Sequence, residues 1–318
     1  MELFGFVRPD GSLGIRNHLC LVSADAGSDA VCLRVAGTVR GAVPLLYRRF
    51  SRFAGVTDIN ISELIGKTAS NPNVGAIIVV ESSSDNSQAD YIVEQVAKTG
   101  RLAEKIHIGN CGGIVKASAA VLSTAITMTR DISTYRRELV RVDQLNAAMW
   151  FTEKDSTNMS LAITNCINRL VEKDCEIIRN EVMPEPEIHQ QGTPPNSENR
   201  DFINQVKDLA LSTEPKLRLI SSKSHEYFEE LAVAQGIQVQ VVTIGSGNVP
   251  DHPLVPTVRV TSNRDYFELM HDTVELRLGD LKGGDMNPED AGLLVLNELL
   301  ATCSGRLSKC EIANEISL

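Results

Sequence analysis

Short runs rich in Val and Ile alternate with longer amphipathic stretches along almost the whole chain, and this alternation limits the folds open to it. Candidate strands lie at 18–23, 41–46, 74–80 and 105–108, with helical patterns at 29–39, 59–69 and 88–99 between them. A further helix is expected after Gly113, running into the 120s. Runs such as Ala76-Ile77-Ile78-Val79-Val80 are apolar on both faces, as parallel strands covered by helices require. The second half repeats the theme, with strands at 147–151, 176–182, 217–221 and 239–244. Its helices are expected at 159–172, 200–211, 288–302 and 308–316, with one more between the last two strands. The fold class is therefore α/β, with parallel-sheet lobes carrying helices on both faces. Two lobes are expected, 1–135 and 136–318, with a polar loop near 183–199 rich in Pro, Gln and Asn. The Ser308-Lys309-Cys310-Glu311 segment and residues 156–160 offer helix N-caps.

Charge excludes several functions. The formal net charge of −10 opposes a general nucleic-acid surface, which needs a Lys/Arg excess, and equally an acidic membrane face. No apolar run approaches the roughly 18 residues of a membrane span. The start lacks the basic-then-apolar order of a secretory signal, so a cytoplasmic location is the expectation. The seven cysteines are odd in number and form no CxxC pair, which signals neither a disulfide framework nor a zinc knuckle. They read as reduced thiols, most of them in the core.

Four segments carry chemical information. In the opening FGFVRPDGSLGIRNH, Asp10-Gly11 and Gly14 signal tight turns and Arg16-Asn17 leads into a strand. Arg16 at a sheet end is a candidate to grip a carboxylate in bidentate fashion; the alternative is a hairpin whose arginine makes a structural ion pair. At Gly109-Asn110-Cys111-Gly112-Gly113 a strand enters a glycine turn and then a helix. Freed N–H groups and the helix dipole there would favour a small carboxylate, and neither the dinucleotide nor the P-loop spacing fits. The third segment, 245–263, holds Asp251 and His252 on a proline-studded loop, as an acid/base pair or as solvated residues. The fourth, Glu-Ser-Ser-Ser-Asp-Asn-Ser-Gln at 81–88, follows the strongest strand, where ligands of parallel sheets gather. Its Ser84 or Asp85 would also serve as an N-cap.

In order and spacing these segments resemble the altronate/D-galactarate dehydratase family. The match runs through Gly5, Phe6, Arg8, Asp10, Gly11, Gly14, Arg16 and Asn17, then Asn71-Pro72-Asn73-Val74-Gly75-Ala76. It continues through Gly112-Gly113, then Val255-Pro256-Thr257-Val258 to Asn263, and ends in a helix closing at Ser304-Gly305. The small N-terminal domain that many members carry ahead of this region is absent from the matched span, and in some relatives it is a separate small subunit. Such enzymes remove water from a sugar acid to give a 2-keto-3-deoxy acid, typically with a divalent metal, often iron.

The resemblance also exposes departures. Gly27 falls where the family has a cysteine, and Tyr47 and Ser51 where it has a His-x-x-x-Cys element. Ser83-Ser84-Asp85 replaces Gly-Cys-Glu, although Asn86 and Gln88 still fit. A later Glu-Cys-Gly-Gly-Ser-Asp element falls on 149–156, where only Asp155 fits. Soft and imidazole ligands are thus replaced together, which suits Mg or Mn better than iron, or no cofactor at all.

The implied function is a hydro-lyase on an aldonate or aldarate. Arg16, Asn17, Asn86, Gly112, Gly113 and Asn263 would hold substrate, and Asp85, Asp251 and His252 would move protons. The alternative is a non-catalytic relative that binds a hydroxy acid or serves as a subunit. Expected partners are a small-molecule sugar acid, a separate small subunit and further copies of the chain.

Overall fold

The computed structural model describes residues 1–54, 60–82, 87–151, 157–180, 217–220, 225–245, 251–279 and 286–313. Contacts divide the chain into two compact units. The first combines residues 4–139 with 233–238; the second combines 1–3, 140–232 and 239–317. The polar loop near 183–199, the helix expected at 200–211 and the N-cap expected at 156 lie outside the described residues, as do Ser84, Asp85 and Asn86.

The chain opens with β1 (Glu2–Val7) and β2 (Leu13–Gly14), an antiparallel hairpin pairing Phe6 with Gly14 and Val7 with Leu13. Strand β7 (Glu138–Arg141) completes a small sheet of order β2-β1-β7. The first unit is built on four parallel strands: β3 (His18–Ser23), β4 (Ala42–Leu45), β5 (Val74–Glu81) and β6 (Leu102–His107). Their order is β4-β3-β5-β6, all pairs parallel. Strand β5 is buried at all eight positions, as its apolar run requires, whereas β6 at the edge is half-polar and mostly open. Helices α1 (Asp29–Ala36), α2 (Tyr47–Ser51), α3 (Ile61–Ala69), α4 (Ser87–Ala97), α5 (Ile108–Cys111) and α6 (Ile114–Ile132) connect the strands or follow them. Val31 and Val35 of α1 and Val121, Ala125 and Met128 of α6 close one core against Leu19, Leu21, Ile78 and Val80 of the sheet.

In the second unit the strands are β8 (Asn146–Trp150), β9 (Glu176–Asn180), β10 (Leu217–Ile220), β11 (Val239–Thr243), β12 (Thr257–Thr261) and β13 (Leu276–Arg277). They form one parallel sheet of order β10-β9-β8-β11-β12-β13. The order reverses direction between β8 and β11, as in doubly wound sheets that bind dinucleotides. The sequence after β8, Thr152-Glu153-Lys154-Asp155-Ser156, has no glycine for that task. Helices α7 (Thr157–Val171), α8 (His225–Ala234), α9 (Arg264–Leu269), α10 (Pro288–Cys303) and α11 (Lys309–Ala313) surround this sheet or follow it. Gly292 lets α10 lie against α7, since a Cβ there would stand 2.6 Å from the Ala162 carbonyl oxygen. The N-cap expected at Ser308 takes the form of a capping box: the Ser308 N–H donates to the Glu311 carboxylate at 2.8 Å, and the Glu311 N–H donates to the Ser308 hydroxyl at 3.3 Å.

Candidate functional site

In the first unit the strand order reverses between β3 and β5, so the crevice that parallel sheets offer to ligands lies beyond the carboxyl ends of those two strands. Asp25 follows β3 and Ser82 follows β5. The Asp25 carboxylate accepts hydrogen bonds from the Ser82 N–H (2.7 Å), the Ser82 hydroxyl (2.6 Å) and the Ser28 N–H (3.0 Å). Ser23, the last residue of β3, donates its hydroxyl to Asp29 and accepts the Tyr47 N–H at 2.6 Å. The Tyr47 N–H also reaches Asp29 at 3.0 Å. The loop ends beyond β3, β4 and β5 are thus tied to one another by short polar side chains.

Glu81 and His107 end β5 and β6 as register partners. Glu81 is 1% exposed, one carboxylate oxygen has no hydrogen-bond partner among the described residues, and the backbone N–H of Ala89 donates to the carboxylate. Burial holds its carboxyl above the usual range, against the pull of Lys105, and the Asp25 charge adds to the rise. His107 is half-buried, and its Nδ1 accepts the Asn110 N–H at 3.2 Å. His107 was not among the residues the sequence singled out, and Glu81 entered only as the first residue of the 81–88 segment, with no role given to it. The signal for Glu81 was a lone carboxylate closing a strand that is otherwise wholly apolar.

The residues singled out from sequence fall in three places. Arg16 and Asn17 precede the first residue of β3, at the amino edge of the sheet, whereas Gly112 and Gly113 follow β6 at the carboxyl edge. A parallel strand of six residues separates those edges by about 20 Å, so one small carboxylate cannot take both, as the sequence reading supposed. Arg16 is 5% exposed, and its guanidinium donates to the Ile15 carbonyl. Asn17 accepts from Arg8 at 2.8 Å and donates to the Ile132 carbonyl at 2.8 Å. Arg8 reaches the carbonyls of Pro72 (2.7 Å) and Arg16 (2.6 Å) as well. Asn71 and Asn73 donate to the carbonyls of Val233, Ile237 and Gln238. The opening motif and the Asn-Pro-Asn motif thus form one buried clasp at the amino edge.

The N–H groups of Gly112 and Gly113 are not freed by their turn. They donate to the Gly109 and Ile108 carbonyls at 3.0 and 3.1 Å, closing α5, and both glycines use positive φ to do so. Helix α6 begins at the next residue with no side-chain cap. Asp85 and Asn86 lie outside the described residues.

Asp251, His252 and Asn263 belong to the second unit. Asp251 and His252 are 3% and 2% exposed, not solvated. Asp251 accepts from Arg259 at 3.0 Å, and burial pushes its carboxyl up to about 7, with Arg259 opposing the rise and Glu229 adding to it. His252 Nδ1 accepts the Leu254 N–H at 3.1 Å, and Nε2 faces the buried Glu230 carboxylate at 3.5 Å. Asn263 caps α9 by accepting the Tyr266 N–H at 3.1 Å and donates to the Gly245 carbonyl at 3.2 Å, joining the carboxyl ends of β11 and β12.

The metal implied by the resemblance can be tested against these donors. At Gly27, the position matched to a family cysteine, a Cβ would stand 2.3 Å from the Ser82 hydroxyl, which would have to turn away from Asp25 to admit a side chain. Among the described residues no group of three or more His, Cys, Asp or Glu is arranged to hold a metal ion. All seven cysteines are free thiols, six of them buried and Cys111 half-buried. Among the described residues, no helix is long and apolar enough to cross a membrane.

A parallel α/β frame with carboxylates and hydroxyls at a switch point belongs to the class of proteins that handle small polar molecules. Comparison with known families narrows the class. Residues 5–133 match the second domain of D-galactarate dehydratase/altronate hydrolase, and residues 202–318 match the C-terminal domain of D-galactarate/altronate dehydratase. The chain belongs to the D-galactarate/altronate dehydratase family, which confirms the resemblance seen in the sequence. A curated relative from Chromohalobacter salexigens, the (2R)-sulfolactate sulfo-lyase subunit beta, is 22% identical over 373 residues, covering 96% of this chain and 94% of the relative. Family and relative together indicate a lyase-like role. Among solved structures, a UDP complex of MnaA from S. aureus aligns with a TM-score of 0.27 at 9% identity, covering 92% of each chain. The glycosyltransferase SnogD from Streptomyces nogalater aligns with a TM-score of 0.21 at 10% identity, covering 94% of this chain and 98% of that one. Likeness this low carries no argument.

Proposed function

We propose that this chain is a lyase that removes the proton next to a carboxylate and expels a group from the neighbouring carbon of a 2-hydroxy acid. The observation that carries the reading is the match of both halves of the chain to domains of one dehydratase family. The dehydratases expel hydroxide from a sugar acid, and a sulfo-lyase acting on sulfolactate expels sulfite. Either way, loss of the α-proton and of the β-substituent leaves an enol that tautomerises to a 2-keto acid. For an aldonate or aldarate the product is a 2-keto-3-deoxy acid. The α-proton is weakly acidic, so the step needs a base near neutral pKa and donors on the carboxylate oxygens.

Asp85, Asp251 and His252 are the proton-moving candidates named from sequence, and the burial of the last two assigns their part in this reading to variant kinetics. A separate small subunit is part of the proposal, supported by the relative's designation as a subunit beta. A second reading is favoured by one observation, the replacement of the family's cysteines and histidine by Gly27, Tyr47 and Ser51: a relative that keeps a hydroxy-acid pocket and has given up the chemistry.

The test is an anaerobic assay against D-altronate, D-galactarate, other aldonates and aldarates, and (2R)-sulfolactate. Runs with Fe²⁺, Mn²⁺, Mg²⁺ and chelator are compared for 2-keto acid release. Turnover of any of these acids supports the lyase; binding without turnover by well-folded protein supports the second reading.

A further inference from the structure

We propose that Glu81 is the proton-transfer residue at the carboxyl edge of the first unit, with the His107 imidazole beside it as a neutral hydrogen-bond donor. The inference rests on the lyase reading and assigns it a residue that the resemblance does not supply. Among the described residues one Glu81 carboxylate oxygen is buried without a hydrogen bond, which is costly, and native structures keep such a group where a ligand or a reaction uses it. This one closes the central strand β5, next to the reversal of strand order, where ligands of parallel sheets sit.

The surroundings suit proton transfer. Burial outweighs the charge of Lys105, whose ammonium also pairs with Asp90 at 2.5 Å, and the Asp25 charge adds to the rise of the Glu81 carboxyl. A substrate would place its α-carbon against Glu81, with its carboxylate turned toward Lys105. Glu81 and His107 are register partners, so their side chains leave the same face of the sheet. Because His107 Nδ1 accepts the Asn110 N–H, the neutral ring carries its proton on Nε2 and can donate a hydrogen bond. It is not an acid in this state, since loss of that proton would leave an imidazolate.

The step balances without a co-reactant. A Glu81 oxygen takes the proton from the carbon next to the substrate carboxylate, and the C–H electron pair becomes the new C=C bond. The bond from the next carbon to its hydroxyl breaks, and the proton passes from Glu81 to the departing oxygen. Water leaves, Glu81 returns to the carboxylate form, and the enol tautomerises to the 2-keto acid. With a sulfonate in place of the hydroxyl, the pair leaves on sulfite and the proton goes to it or to solvent.

The experiment compares the full chain with its Glu81→Gln variant on D-altronate, D-galactarate and (2R)-sulfolactate across pH, with Tm measured alongside. The expected result is a fall in kcat of about 10²- to 10⁴-fold with KM changed by only a few-fold. In the native protein kcat/KM should rise with pH as Glu81 ionises, and that limb should be missing from the residual Glu81→Gln rate. If Glu81 only caps α4 through the Ala89 N–H, the variant shifts Tm and keeps both rate and pH limb, which overturns the inference and leaves the lyase reading standing. No turnover of any of the three acids by the native protein would overturn both.

Discussion

Asp251 and Arg259 form an ion pair with 3.0 Å between Oδ1 and Nη2, and both side chains are almost fully enclosed in the second unit. Arg259 and the Cys310 thiol together do not offset the burial of the carboxylate. Burial consequently raises the folded-state pKa to about 7, against about 3.9 in an unfolded chain. A carboxyl with a raised folded pKa favours the folded state most at low pH. Its contribution is complete below the unfolded value and is lost as pH rises through the folded value. The expected outcome is a Tm component that falls between about pH 4 and 7 and is absent from Asp251→Asn, which keeps an oxygen for Arg259. Parallel melting curves of the two proteins across that range check it; identical slopes would show that Asp251 is ionised throughout.

His252 faces Glu230 with both side chains fully enclosed. Replacing it with alanine leaves a buried carboxylate without that neighbour and removes the acceptor for the Leu254 N–H. The expected cost is about 1–3 kcal/mol of stability. Turnover of the surviving folded protein should stay within a few-fold of the native rate. A loss of about 10²-fold in kcat at unchanged Tm would instead place His252 in the chemistry.

Much of the fold was legible because its strands are apolar on both faces. The runs at 18–23, 74–80 and 239–244 match β3, β5 and β11 to within a residue or so. β6 was placed three residues late, since Leu102-Ala103-Glu104 is an open edge and lacks the pattern of a buried strand. β13 is only two residues long and left no signal at all. The site was far less legible. Sequence shows that Arg16 meets a strand and that Gly112 leaves one, but only the parallel pairing of β3, β5 and β6 sets those two residues at opposite edges. Glu81 and His107 are 26 positions apart and become neighbours only through strand register. Asp251 and His252 sat among prolines and a glycine, the composition of an exposed loop, yet 251–256 is buried throughout.

Thiol reactivity should separate one cysteine from six. Burial raises the thiol pKa of Cys20, Cys32, Cys166, Cys175 and Cys310, and Cys303 is fully enclosed. Cys111, half-buried at the end of α5, is the accessible one. A disulfide-exchange reagent at neutral pH should modify one thiol per native chain promptly and all seven after denaturation. Prompt labelling of three or more in the native protein would contradict the packing around the buried six.

The amino-edge clasp makes the sharpest stability prediction. A Cβ on Gly14 would stand 2.2 Å from the Pro72 carbonyl oxygen and 2.8 Å from the Arg8 guanidinium. The first of these is backbone and cannot swing aside. Arg8 is committed to Pro72, Asn17 and Arg16, so its displacement would uncouple the hairpin from the start of β3. Overpacking of this kind costs about 1–3 kcal/mol, and the loss of buried hydrogen bonds adds to it, so Gly14→Ala should lower Tm by several degrees. Gly37 supplies the control. It sits at a negative φ at the end of α1, its nearest contact to a new Cβ would be 3.5 Å, and Gly37→Ala should fall within about 0.5 kcal/mol of the native protein. Equal melting temperatures for the two variants would mean that the family's opening motif is not held by packing against Pro72.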